Sequence, residues 1–199
     1  EARAIWEPSA QEAKLHLAAQ ADIFRLHLIA KTDEIWVDGD IVALHPITRN
    51  EAGYAIGWEE EGRFVNNAVL GAPRASEAIA LLRDFVAKPF VPPWLNRAKQ
   101  KTIAEVPETE RLAAICAAKR SAIGPSALTW ALKETGEIEH VAPQGTYFDI
   151  PWHLSDLFFA PGNPVETQVG DRATAVHLWS HLIRGRHKAK PPEPSFRST

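Results

Sequence analysis

A short apolar segment that ends in two acidic residues constrains this chain more than any other feature. Residues 34–37 are β-prone and lead directly into Asp38-Gly39-Asp40. The pattern predicts a buried strand whose carboxyl end presents two carboxylates. Two such neighbours repel each other unless a cation or a proton lies between them, and Mg²⁺ or Mn²⁺ bridging to phosphates suits these oxygen ligands. Gly39 leaves room for a diphosphate. A solvated turn is the commoner role of an isolated Asp-X-Asp.

A second pair of charges lies upstream on a predicted helix. Residues 10–31 carry apolar side chains at helical spacing and start after Pro8-Ser9. Asp22 and Arg25 are three positions apart and therefore share one face of that helix. They interrupt an otherwise apolar helix, where unpaired burial of charge is costly. The alternative is an ordinary ion pair on the surface.

The remaining segments alternate between strand-like and helix-like patterns, which favours an α/β domain over residues 1–186. We expect strands near 41–44, 53–58, 65–70, 141, 147–150 and 173–178, and helices near 73–86, 108–120 and 126–135. Residues 88–108 are rich in Pro and Lys and predict an excursion or mobile loop. The Pro-rich segment 187–199 predicts a disordered tail.

Composition narrows the classes of function. The net charge of -3 gives no support for a nucleic-acid partner. A single cysteine, Cys116, excludes disulfide stapling and favours the cytoplasm. No apolar run is long enough to span a membrane, so we expect any attachment to the inner membrane to be peripheral. The chain lacks methionine and opens abruptly at Glu1, so we expect that it lacks an N-terminal segment.

Five segments resemble, in order, the sugar-binding-region glycosyltransferases that carry an Asp-X-Asp motif. This family includes capsular-polysaccharide transferases, α-1,4-galactosyl and N-acetylglucosaminyl transferases and initiating mannosyltransferases. Its pattern is a helix with Ser-Asp-x-x-Arg-Tyr, a strand ending in Asp-x-Asp before a Pro, an Asn-containing segment ending in Ala-Pro, a Gly-Pro-x-x-Leu-Thr segment and a terminal His-x-Trp. The matching segments are residues 21–29, 35–46, 64–73, 124–129 and 176–179.

The resemblance implies a GT-A-like, Rossmann-related core with a mixed sheet flanked by helices. It implies transfer of a sugar from a UDP- or GDP-sugar to a saccharide or glycolipid acceptor, with retention of configuration, in polysaccharide biosynthesis. The implied catalytic residues are the two charged pairs, of which Asp22 and Arg25 also bind the donor sugar. Asn66 and Asn67 are implied to line the sugar or acceptor pocket. His177 is implied to complete the Mn²⁺ or Mg²⁺ site of Asp38 and Asp40, and Trp179 to contact the diphosphate.

The chain departs from the family pattern at three places. Ala21 replaces the family Ser, His27 stands where Tyr is usual, and residues 31–34 replace a Gly-Gly turn. The first strand of the nucleotide-binding fold has no counterpart in this sequence.

Two alternatives compete with the transferase. A haloacid-dehalogenase-like phosphatase would use Asp38 as a phosphorylated nucleophile and Asp40 as acid and base, but the acidic metal pair of that family finds only half a match at Gly170-Asp171. A degenerate, metal-free carbohydrate-binding domain is the non-enzymatic alternative. Trp58 and Trp94 could stack on sugar rings, although packing in the core is their more ordinary role.

Overall fold

The computed structural model describes residues 2–159, 169–180 and 182. The α-helices are α1 (Ala2–Ile5), α2 (Leu17–Lys31), α3 (Glu77–Ala87), α4 (Arg97–Ala104), α5 (Glu108–Ala118) and α6 (Pro125–Glu134). Short 3-10 helices cover Glu12–Lys14, Glu137–His140 and Trp152–Phe159. The strands are β1 (Trp36–Val37), β2 (Ile41–Ala43), β3 (Ala55–Glu60), β4 (Phe64–Gly71) and β5 (Ala175–His177).

The larger sheet is antiparallel, with β4 between β1 and β3. Every residue of β4 after Phe64 is buried, because helices α2 and α6 cover the strand. Two consecutive amides, Asn66 and Asn67, lie in the middle of this buried strand. Burying an amide costs free energy unless it is hydrogen-bonded. Each of these two side chains therefore needs polar partners within the core.

The smaller sheet pairs β2 with β5, and Ile41 lies opposite His177. Between β1 and β2 the chain turns at Asp38-Gly39-Asp40, where the Ile41 amide donates to the Asp38 carbonyl at 3.0 Å. The acidic triplet therefore connects one sheet to the other. The prediction of a fully buried strand before it is wrong, because β1 is an edge strand on which Val37 is exposed.

Helix α2 begins later than the pattern predicts. The His16 side chain caps it by accepting a hydrogen bond from the Ala19 amide at 3.1 Å. Leu15 is extended and separates the helix from the preceding 3-10 turn. The predicted helix over residues 10–31 is therefore two elements.

The predicted loop over residues 88–108 is wrong, because it contains α4. Asn96 caps this helix by accepting from the Lys99 amide at 3.0 Å. Leu95 and Ile103 anchor the segment in the main hydrophobic core. A few apolar side chains thus hold a segment whose Pro and Lys content is typical of loops.

The strands predicted at 141 and 147–150 are also wrong. Ala142 forms a single parallel bridge with Gly57, while Tyr147, Phe148 and Ile150 are buried outside any strand. Gly145 has a positive φ of 92°, and prolines at 143 and 151 flank the segment. Proline cannot donate to a sheet ladder, which accounts for a packed but irregular segment.

The prediction of a mixed α/β domain is confirmed at the level of helices combined with small sheets. Both sheets in the described ranges are antiparallel, which differs from the expected mixed sheet. The tail at 187–199 lies outside the described residues. Of the helices described, none combines the length and apolarity needed to cross a membrane.

We predict that Ile103→Ala lowers the free energy of unfolding by about 2–5 kcal/mol, because it leaves a cavity in the core. Urea denaturation followed by circular dichroism measures the change. Lys101→Ala, at an exposed position of the same helix, is the matched control. Equal stability of the two variants would contradict the placement of α4 in the core.

Candidate functional site

Helix α2 carries Asp22 and Arg25 into the interior. Only 7% of Asp22 and 6% of Arg25 is exposed, so the pair is not a surface ion pair. Arg25 Nη2 lies 3.7 Å from Asp22 Oδ1. The 3.6-residue period places the two side chains on one helix face, and the sheet buries that face. The predicted pairing is confirmed.

Arg25 connects this helix to the acidic triplet. Its Nη2 lies 3.2 Å from Asp38 Oδ1, and its Nη1 donates to the Asn67 carbonyl at 2.7 Å. Its guanidinium carbon is also 4.9 Å from the centre of the Trp36 ring. The Trp36 indole N–H donates to Asp38 Oδ1 at 2.5 Å. One oxygen of Asp38 is therefore held by two donors.

An irregularity in the β3–β4 ladder leaves the Asn67 carbonyl available to Arg25. The register changes between Ile56, opposite Leu70, and Gly57, opposite Asn66. Extra residues of β4 are thus left out of the β3 ladder, and the Asn67 carbonyl accepts from Arg25 instead. Strand irregularities of this kind often re-aim side chains beside functional sites.

Besides its ion pair with Arg25, Asp22 Oδ1 accepts a hydrogen bond from Asn67 Nδ2 at 2.9 Å. Burial raises the pKa of Asp22, and the neighbouring Asp38 charge adds to that rise. Arg25 and the Asn67 amide act in the opposite direction without cancelling the effect of burial. Asp22 therefore takes up a proton more readily than an ordinary aspartate.

Gly124, at the start of α6, lets the chain approach Asp22 closely. A Cβ at this position would lie 2.5 Å from Asp22 Oδ2 and 2.8 Å from its carboxyl carbon. Since the carboxylate is buried and bonded on its other side, it has little room to move. The Gly-Pro pair thus both starts α6 and forms a wall beside Asp22.

Asp38 lines two clefts. The first, about 400 Å³, is lined by α2, β4 and the α5–α6 connection, with Asp22, Arg25, Asp38, Asn67, Lys119 and Arg120 among its walls. We call it the Asp22 cleft. The second, about 500 Å³, is lined by Asp38, Gly39, Asp40, Leu178 and Ser180. We call it the triplet cleft. Asp22 and Arg25 line the first and Asp40 lines the second, so Asp38 is the predicted site residue that the two clefts share.

Asp40 is fixed by the segment after β5. Its Oδ2 accepts from the Ser180 amide at 2.9 Å, and its Oδ1 lies 3.2 Å from His177 Nε2. Burial alone would raise the pKa of Asp40, but the Ser180 amide and His177 outweigh it and hold the pKa below its ordinary value. Asp40 is therefore ionised under ordinary conditions.

The predicted metal site is only partly assembled. Among the side chains that the structure describes, no three His, Cys, Asp or Glu are grouped to hold a metal ion. His177 faces Asp40, and the described partners of Asp38 contact its Oδ1. Carboxylates are ligands that Mg²⁺ and Mn²⁺ prefer, and such an ion often takes one or two of them and completes its shell with substrate phosphates. Binding of the metal stays a prediction.

Asn66 and Trp179 do not line either of these two clefts. Asn66 Nδ2 donates to Glu59 Oε2 at 2.7 Å, on a different side of β4 from Asn67. Trp179 is buried, packs at 3.9 Å between ring centres against His177, and donates its indole N–H to the Ile150 carbonyl at 2.8 Å. It has a positive φ of 54°, a region that bulky residues rarely adopt. The Trp179 ring therefore packs against the His177 ring and limits the movement of that side chain.

Local sequence patterns do not indicate several residues of the site. Trp36 lies two residues before Asp38 in an apolar segment, where packing in the core is the ordinary role of a tryptophan, yet its indole N–H donates to Asp38. Lys119 and Arg120 follow α5, where charged residues are common, and only the fold brings them to the Asp22 cleft.

No family model, no curated protein and no solved structure matches this chain.

We predict that Gly124→Ala lowers the free energy of unfolding by about 1–3 kcal/mol, because the new methyl group overlaps the Asp22 carboxylate. Urea denaturation measures the change. Gly39→Ala is the control, since a Cβ there would have no atom within 4 Å. If both variants are equally stable, α6 does not pack against Asp22 as described.

Proposed function

We propose that this protein is a retaining glycosyltransferase that moves a sugar from a UDP- or GDP-sugar to a hydroxyl acceptor, on a GT-A-type core. The observation that carries the proposal is that Asp38 lines both the Asp22 cleft and the triplet cleft. A nucleotide sugar has a neutral, hydroxyl-rich ring on one side of a doubly charged diphosphate. Two clefts that share a carboxylate suit a ligand of that kind.

In this proposal Asp22 and Arg25 hold the donor sugar. The Asp22 carboxyl accepts hydrogen bonds from hydroxyls of the sugar. Because its pKa is raised, it can also become protonated and donate a hydrogen bond to a sugar oxygen. Asp38 and the Asn67 carbonyl hold the Arg25 guanidinium in place. The side chain therefore does not have to rearrange when the donor binds. The pair orients the ring so that its anomeric carbon faces the triplet cleft.

Asp38 and Asp40 would hold Mn²⁺ or Mg²⁺ together with the diphosphate. When bound, the cation neutralises the charge that develops on the leaving diphosphate. Lys119 and Arg120 line the Asp22 cleft and add positive charge for the same purpose. The Ser180 amide keeps Asp40 ionised and oriented. Gly39 keeps side-chain bulk away from the phosphates.

The acceptor hydroxyl would attack the anomeric carbon from the face that the diphosphate leaves. The glycosidic bond to phosphate breaks, the bond to the acceptor oxygen forms, and the acceptor proton passes to the departing phosphate. The products are the elongated acceptor and the nucleoside diphosphate. No covalent enzyme intermediate is needed.

We predict that UDP or GDP binds only with Mn²⁺ and that Asp38→Asn weakens this binding at least about tenfold, or about 1.4 kcal/mol. Isothermal calorimetry with and without EDTA measures it. The substitution keeps the shape of the side chain while removing the charge next to Arg25. Asp33→Ala is the control, because the Asp33 side chain is exposed and pairs with Arg74 at 2.8 Å on the surface.

Three other outcomes would reject the transferase. Binding that survives EDTA and Asp38→Asn would place the nucleotide elsewhere. Binding of free sugars alone, without metal, would favour the carbohydrate-binding domain. Release of phosphate from p-nitrophenyl phosphate, abolished by Asp38→Asn, would favour the phosphatase. Circular dichroism of each variant establishes that it is folded.

A further inference from the structure

A further cleft shares only Lys119 with the clefts of the proposed donor site. It measures about 860 Å³ and lies between β3–β4, α6 and the 3-10 helix Trp152–Phe159. Its size falls within the usual range of small-molecule sites, roughly 300–1,000 Å³. We call it the aromatic cleft.

Three tryptophans line the aromatic cleft. Trp94 and Trp130 form one rigid wall, with ring centres 4.7 Å apart, and the Trp94 indole N–H donates to the Ala122 carbonyl at 2.7 Å. Trp152 is 53% exposed and lies at the border of the cleft. Aromatic faces attract the C–H groups of a sugar ring.

A half-buried carboxylate adds a polar group to the cleft. Glu59 lines it and accepts a hydrogen bond from Asn66 Nδ2 at 2.7 Å. Burial raises the pKa of Glu59, and nearby Glu60 adds to the rise, so the carboxyl is suited to both accepting and donating hydrogen bonds to hydroxyls. Thr129 and His153 also line the cleft.

The charges of this cleft do not form the positive patch that a nucleic acid needs. Its lining includes Arg63, Lys119 and Lys133 together with the carboxylates Glu59 and Glu60. Arg63 is bonded to Glu60 through both carboxylate oxygens at 2.9 Å. A phosphate backbone is bound by several cations acting together. Aromatic faces beside a half-buried carboxylate suit a neutral, hydroxyl-rich ligand better.

We propose that the aromatic cleft binds a neutral saccharide, stacked on Trp152 and hydrogen-bonded to Glu59. Resting on the proposed function, this saccharide is the acceptor. Two connections support that role. Lys119 lines both this cleft and the Asp22 cleft. Asn66 is bonded to Glu59 of this cleft, and the next residue of β4, Asn67, is bonded to Asp22. An acceptor here would lie beside the donor.

The test uses maltotriose, cellotriose and chitotriose without nucleotide, with binding measured by calorimetry. We expect at least one trisaccharide to bind, and Trp152→Ala and Glu59→Gln each to weaken binding about three- to tenfold. Leu154→Ala is the control, since Leu154 is an exposed apolar residue of the same 3-10 helix outside the cleft lining. Labelling with 5-fluorotryptophan should show the Trp152 resonance moving and that of Trp6 unchanged.

Three results would overturn the proposal: no binding of any trisaccharide at millimolar concentration, equal affinity in Trp152→Ala and Leu154→Ala, or tighter binding of AMP at the same cleft. Trisaccharide binding should be unchanged in Asp38→Asn. Binding that persists while no nucleotide binds would keep the saccharide site and reject the transferase, so the two failures are distinguishable.

Discussion

The burial of Arg25 is the constraint on which the rest of the site depends. A guanidinium is charged at any ordinary pH, and removing it from water costs several kcal/mol unless it is paired and hydrogen-bonded. Its partners come from three places in the chain: Asp22 on the same helix, the Asn67 carbonyl in β4 and Asp38 after β1. Helix, central strand and acidic triplet are therefore fixed relative to one another by a single side chain.

The burial of Arg25 and Asp22 also accounts for the irregular and polar features of the larger sheet. The β3–β4 ladder changes register where Arg25 takes the Asn67 carbonyl, and two amides occupy a strand that would otherwise be apolar. Gly124 is small because Asp22 lies against it. These features weaken a regular core locally while satisfying buried charge. A fold that needed only stability would more simply place apolar residues at these positions.

Sequence patterns predicted the structural features that depend on neighbouring residues. They did not predict the features that depend on contacts between distant segments. The shared face of Asp22 and Arg25 follows from helical spacing, and the acidic triplet at a strand end follows from the apolar residues before it. The contact between Arg25 and Asp38 joins two elements, so no spacing rule indicated it. Helix α4 was missed because only Leu95 and Ile103 mark it as core among Pro and Lys, and the strand predicted at 147–150 failed because prolines flank a buried segment.

The pairing of β2 with β5 has a consequence for the order of assembly. The Asp40 carboxylate and the Ser180 amide that binds it are 140 residues apart in sequence. Closing so long a loop costs chain entropy before any contact compensates it. During synthesis, Arg25 and Asp38 emerge from the ribosome well before the segment that orients Asp40. The last carboxylate of the site is thus positioned only after nearly all of the described chain has been made, so N-terminal fragments would hold one acidic group in place and leave the other unrestrained.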